Sequence, residues 1–202
     1  MRVIAGDAKG RKLVAPEMPG LRPTSDRVRE AMFDILESRG LVSDAAFLDL
    51  FAGSGALGIE ALSRGAGGVT FVEHDRRAMA AIEHNLEVTG YLGAPGVRMV
   101  RADVLVWTAT HGRGTSDVAL ADPPYDLDSF QTVLAQLDAP TVLIEHRSVL
   151  TLPDGYIVSR EYRYGGTLVT LLAAARDAAQ AADSETSPAT PDTAPDTDKD
   201  PA

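Results

Sequence analysis

From Ala46 onward the sequence alternates short apolar runs with stretches of helical periodicity, and few architectures accept that pattern. The runs cover residues 47–51, 69–72, 97–100, 118–121 and 142–144; the helical stretches between and after them cover 57–63, 76–88, 104–110 and 129–137. A strand that is apolar along its whole length is buried on both faces, and a strand–helix–strand rhythm returns the chain in parallel. The pattern therefore predicts an α/β fold, a mostly parallel sheet with helices on both faces. Beyond Pro153 the rhythm changes. Residues 156–164 and 167–172 are rich in β-formers and joined by Gly165-Gly166, which predicts a C-terminal antiparallel hairpin.

The segment ahead of this region reads as a short strand over 2–5, a turn at Gly6-Asp7 and a second strand over 12–15, followed by a Pro- and Gly-rich loop over 16–23. Thr24 or Ser25 can cap a helix whose apolar face is Val28, Met32, Ile35 and Leu36, with Gly40 as its stop. Charge divides the chain. Residues 1–29 carry seven basic and three acidic side chains, a net +4 on a chain whose total is −10. Residues 177–202 carry seven acids and one lysine, a net −6, with no large apolar residue, and they are expected to be disordered. The expected organisation is a basic N-terminal β-hairpin extension over 1–23, an α/β domain over 24–176 and an acidic tail over 177–202. A basic head on an acidic body suits a polyanionic partner. The absence of cysteine excludes a disulfide scaffold, a thiol nucleophile and a zinc finger, and four scattered histidines give no reason to expect a metal. With no signal-like apolar stretch at the N-terminus and no run of 18 apolar residues, a cytoplasmic protein without a membrane span is expected.

Four motifs carry chemistry. Gly53-Ser54-Gly55-Ala56-Leu57-Gly58 follows a strand and opens a helix, the arrangement in which backbone N–H groups approach a nucleotide-like ligand; Asp49 and Phe51 lead into it. Asp49 lies inside an apolar strand, where a charge is costly without a partner. A dinucleotide would bring phosphates to this turn and be repelled. S-adenosylmethionine, with an ammonium, a sulfonium and no phosphate, suits it better; the other possibility is that loop N–H groups satisfy Asp49. Glu73 ends the second strand eighteen positions after Gly55, where an acid can accept from ribose hydroxyls or help cap the next helix. Asp103 ends the third, where it can accept from an adenine amino group, cap the following helix, or do both. Asp122-Pro123-Pro124-Tyr125 follows the fourth strand. The prolines fix φ and remove two N–H donors. The Asp122 carboxylate and the Pro123 carbonyl can then accept from one planar –NH₂ group, while Tyr125 offers a ring on which a base can stack.

With these motifs the sequence resembles the class I S-adenosylmethionine-dependent methyltransferases, and more closely the bacterial 16S rRNA guanine-N2 methyltransferase family known as RsmD. The resemblance covers about residues 1–174. It rests on Met1-Arg2-Val3-Ile4-Ala5-Gly6 with Gly10-Arg11-Lys12-Leu13, on Leu21-Arg22-Pro23-Thr24-Ser25-Asp26-Arg27-Val28-Arg29-Glu30, on residues 49–58 and on residues 122–125. It implies a Rossmann-like, seven-stranded, mostly parallel sheet and methyl transfer to the N2 amine of guanine 966 of 16S rRNA, in the 30S subunit or its assembly intermediate, by a monomer. In that reading Asp122, Pro123 and Tyr125 serve catalysis. Asp49, Phe51, Gly53, Gly55, Glu73 and Asp103 bind the cofactor. Arg2, Lys9, Arg11, Lys12, Arg22 and Arg27 contact RNA. DNA adenine-N6 and protein glutamine-N5 methyltransferases share the tetrapeptide and are the nearest alternatives; the glycine motif with Glu73 alone would also fit an NAD-dependent oxidoreductase. The acidic tail has no counterpart in the family pattern.

Overall fold

Each apolar run forms a strand, within two residues of its expected bounds: β1 (Ala46–Leu50), β2 (Gly68–Glu73), β3 (Val97–Arg101), β4 (Val118–Ala121) and β5 (Thr141–His146), with β6 (Tyr156–Tyr164) and β7 (Thr167–Ala174) as the C-terminal hairpin. The helices are α1 (Asp26–Glu37), α2 (Ala56–Ser63), α3 (Arg76–Thr89), α4 (Val104–His111) and α5 (Leu127–Gln136). The structure, a computed structural model, describes residues 1–16, 25–114, 116–123, 127–147 and 150–177, and only the backbone of 127–129. Arg22, Thr24, Pro124, Tyr125 and the tail from 178 on lie outside the described residues. Ser25 is the residue that caps α1, its side chain accepting from the Val28 N–H. Gly40 ends the helix as expected: it lies in the left-handed region at φ +68°, its N–H reaches the Glu37 carbonyl at 2.9 Å, and the Leu41 N–H reaches that of Leu36 at 3.0 Å.

The strands form one seven-stranded sheet in the order β3-β2-β1-β4-β5-β7-β6. The first five are mutually parallel, and β7 is antiparallel to both β5 and β6. After β3 the chain crosses back to the other side of β1, so β1 and β4 are neighbours, with Asp49 opposite Leu120. Ligands of open α/β sheets bind where the strand order reverses, outside the carboxyl ends of the strands. Here that crevice lies between the turns that follow β1 and β4.

Two apolar layers cover the sheet. On one face Met32, Phe33 and Leu36 of α1, Ile59 of α2, and Ile82 and Leu86 of α3 pack against Phe47, Phe71 and Leu120. On the other, Val104 of α4 and Phe130, Val133 and Leu134 of α5 pack against Leu48, Val72 and Ile144. β3 departs from the expectation of full cover. Among the described residues it has β2 as its sole strand neighbour, and Arg98, Met99 and Arg101 are exposed.

The N-terminal segment also departs from expectation. Its hairpin consists of a single antiparallel bridge between Arg2 and Lys12, not two paired strands. Nor does it stand apart from the core as an extension, since Val3, Ala8 and Leu13 are buried in the same layer as α1, α2 and α3. Three backbone bonds join its arms, from Val3 N–H to the Arg11 carbonyl, Gly10 N–H to the Val3 carbonyl and Leu13 N–H to the Met1 carbonyl, while other N–H groups of the segment go to helix groups and keep the ladder from extending. The Glu60 carboxylate accepts from the N–H groups of Ile4 and Ala5 at 2.9 and 3.0 Å. The Ser63 hydroxyl accepts from Ala8 N–H, and the Ser63 carbonyl accepts from Asp7 N–H. Asn85 Oδ1 accepts from Val14 N–H at 2.8 Å.

Candidate active site

β1 delivers the chain to the crevice with Asp49 fully buried beneath the glycine turn. Asp49 Oδ2 accepts from the Gly58 N–H at 2.9 Å, so α2's first turn satisfies half of the carboxylate, as one of the two sequence readings had it. Oδ1 is buried and makes no hydrogen bond. Burial raises the Asp49 pKa to about 8; the Gly58 bond acts against this, and the charges of Glu73 and Asp122 add to it. Those electrostatic partners show that the ends of β1, β2 and β4 bring three sequence-predicted carboxylates into one neighbourhood.

The turn itself is held in a demanding conformation. Phe51 has φ +55°, which a residue with a side chain seldom adopts outside functional sites, and Gly53 and Gly55 have φ +56° and +76°. The Phe51 ring is tilted against Phe130 at 6.3 Å, which ties the turn to α5. Glu73 clamps the turn from the other side. Its Oε2 accepts from Gly53 N–H at 2.9 Å, and its Oε1 accepts from the N–H groups of His74 and Asp75 at 2.8 Å each. Each carboxylate oxygen can accept more than one bond, so this clamp leaves Glu73 acceptor capacity. Asp103 is exposed and is the N-cap of α4, with Oδ1 accepting from Val106 N–H at 3.1 Å. Asp122 and Pro123 follow β4 directly, on the far side of β1 from Glu73. Tyr125 lies outside the described residues.

A family model described as "Conserved hypothetical protein 95" matches residues 1–173. The chain belongs to this family. A relative from Escherichia coli K12, "Ribosomal RNA small subunit methyltransferase D", is 44% identical over 125 residues, which is 62% of this chain and 60% of that protein. This chain thus spans less than two thirds of the length of that relative. "Putative rRNA methyltransferase YlbH" of Bacillus subtilis is 34% identical over 182 residues, 85% of this chain and 97% of that one. Among solved structures, a putative methyltransferase from E. coli superposes with a TM-score of 0.73 at 34% identity, covering 86% of this chain and 97% of its own. The fold is that of the class I methyltransferases, and the family is the RsmD type that the sequence motifs resemble.

The RsmD-type chain carries its expected RNA-contacting cations unevenly. Arg2, Lys9, Arg11, Lys12 and Arg27 are exposed, and Arg2 and Lys12 are bridge partners. Arg22 lies outside the described residues. Arg29, which contributes to the +4 of the head, is fully buried. Its Nη2 donates to the Arg2 carbonyl and to Asp26, and its Nε faces Glu60 Oε2 at 3.6 Å. Burial pushes the Arg29 guanidinium below its ordinary pKa, while the Glu60 and Asp26 charges act against that.

Two positioning residues were missed by sequence reasoning. Glu60 is buried and binds Arg64 Nε at 2.9 Å as well as the head. The signal was a lone carboxylate in the apolar helix Ala56–Ser63, where it would need partners. Asn85 is buried in α3 and donates to the carbonyls of both Val14 and Ser54, at 2.9 Å each, so one amide links the head to the glycine turn. Nothing in the local sequence pattern marked it.

Proposed function

We propose that this protein transfers a methyl group from S-adenosylmethionine to the N2 amine of a guanine in 16S rRNA, guanine 966 by the resemblance stated above, within the 30S subunit or its assembly intermediate. The observation that carries the reading is the meeting of Asp49, Glu73 and Asp122 at the reversal of strand order. A concentration of carboxylates around a buried, unbonded Oδ1 favours a cationic ligand without phosphates. S-adenosylmethionine meets that requirement, and a nicotinamide dinucleotide does not. The relatives' names support rRNA as the substrate.

Asp49 would face the positive end of the cofactor, with the backbone of Gly53 and Gly55 beside it and Phe51 shaping the turn. Glu73 would receive the ribose hydroxyls with the capacity left by its clamp, and Asp103 the adenine amine with its second oxygen. When bound, the cofactor supplies an electrophilic methyl on a sulfonium. The guanine N2 lone pair is delocalised into the ring and is a poor nucleophile. The Asp122 carboxylate and Pro123 carbonyl would accept its two N–H groups, draw the nitrogen toward tetrahedral geometry and free the lone pair toward the methyl that the cofactor would supply. Positioning and acceptors aimed at the developing positive charge supply the rate. The nitrogen then loses one proton, with Asp122 as the adjacent acceptor. The target base leaves its stack to enter, and the Tyr125 ring offsets part of that cost. Exposed cations of the head hold RNA phosphates. The test is transfer of labelled methyl to 30S subunits lacking this modification, followed by mapping of the product. Label at guanine N2 is expected; saturable NADH binding with no S-adenosylmethionine binding would overturn the reading.

A further inference from the structure

A second concavity opens at the carboxyl edge of the sheet, outside the crevice used above. It is a cleft of about 350 Å³ between the start of α1, the end of β5 and the β6–β7 turn, and Ser25, Glu145, Arg147, Tyr164 and Thr167 line it. Its place follows from the strand order. β5 is the neighbour of β4 on the side away from β1, and β7 comes next. Adjacent strands lie about 4.8 Å apart. The cleft therefore begins within one nucleotide's reach of Asp122, on the side opposite the cofactor turn.

Its chemistry is mixed. Arg147 is exposed, and on α1 Arg27 and Asp34 act on the charge of the Tyr164 hydroxyl with opposite signs. The exposed guanidinium of Arg147 suits a phosphate. Glu145 of β5 is half-buried, and a carboxylate there disfavours a bare anion but accepts from a base's N–H edge. The half-buried Tyr164 ring offers a stacking face, and Thr167 a hydroxyl. A cation, an aromatic face and a carboxylate within a volume suited to one small ligand describe a nucleotide site.

We infer that this cleft holds the nucleotide next to the target guanine in the bound RNA strand, with its base against Tyr164 and its phosphate on Arg147. The inference rests on the RNA methyltransferase reading and gives that reading a second anchor point. The experiment measures binding of rRNA-containing 30S subunits to the full chain by filter binding, alongside calorimetry with S-adenosylmethionine, for wild type, Tyr164→Ala, Tyr164→Phe and Arg147→Ala. Tyr164→Ala is expected to weaken 30S binding about tenfold, as loss of one stacked base does, while Tyr164→Phe keeps the ring and binds as wild type. Arg147→Ala is expected to flatten the salt dependence by about 0.7 log units. S-adenosylmethionine affinity should not change in any variant. If 30S binding is unaltered by both alanine substitutions, the cleft is not a nucleotide site. If Tyr164→Phe loses as much as Tyr164→Ala, the stacking role is wrong. If wild type binds 30S subunits but places no methyl on guanine, the proposed function fails while the binding result still decides the cleft.

Discussion

Asp122 follows the end of β4 and Asp49 lies inside β1, and the site gives the two carboxylates opposite demands. Asp122→Ala removes an acceptor for the reacting amine and leaves in place Asp49 and Glu73, the two carboxylates assigned to the cofactor. Turnover on 30S subunits should fall at least a hundredfold, about 2.7 kcal/mol of barrier, with calorimetric S-adenosylmethionine affinity nearly unchanged. Near-normal turnover would show that Asp122 is not the acceptor. Asp49 is held at a pKa of about 8 in the fold, against an ordinary 3.8 for the free side chain. Between those values the folded state keeps a proton that the unfolded chain has released. Stability should therefore decline as pH rises from about 4 to 8 and level off above. Asp49→Asn has no proton to lose and keeps an oxygen for the Gly58 N–H. Its denaturation midpoint should lack that descent, and a parallel descent in both proteins would assign the effect to other groups. The places of most candidate site residues were legible because Glu73, Asp103 and Asp122 fall at strand ends and Gly53 and Gly55 open a helix, places that pattern alone locates. The second role of Glu73 was less legible. Its bonds to Gly53, His74 and Asp75 depend on where the β1 turn comes to rest against β2, and no local spacing encodes that.

Strands and helices of the α/β region could be read because their periodicity is strong and their ends carry capping residues such as Ser25, Asp75 and Asp103. The N-terminal element was misread as a standing hairpin for a physical reason. Residues 2–5 and 12–15 have strand-like composition, yet only Val3 and Leu13 donate across the hairpin, and the N–H groups of Ile4, Ala5 and Val14 go to Glu60 and Asn85, far away in sequence. Gly6 tests that docking. It has φ +77°, and a methyl group there would sit 1.6 Å from the Ser63 carbonyl oxygen. Gly6→Ala should lift the segment off α2. The expected loss is at least about 1 kcal/mol of stability, with faster amide exchange at Ile4, Ala5 and Ala8. Unchanged exchange at those amides would mean that the head is held by its apolar contacts alone.

Across the whole molecule, charge is segregated, and the two ends should behave differently. Replacing Arg2, Lys9, Arg11 and Lys12 with alanine leaves Val3, Ala8, Leu13 and the backbone bonds in place. Binding to 30S subunits should weaken and its salt dependence flatten by about 0.7–0.9 log units per lost phosphate contact. Deleting residues 178–202 should do no such harm, because that segment is acidic and repels RNA. Filter binding over a salt series compares the two proteins, and loss of activity in the tail deletion alone would refute the assignment of the head. The stitching of the head to α2 and α3 also sets a schedule for biosynthesis. A ribosome makes Val14 71 positions before Asn85. At about 5–20 residues per second the wait is roughly 4–14 s. Until Glu60 and Asn85 are made, the amides of Ile4, Ala5 and Val14 have only water, and the apolar layer that covers Val3 and Leu13 is incomplete. The head is seated only after α3 is made, so a nascent chain stalled before α3 is complete would present a loose, basic segment.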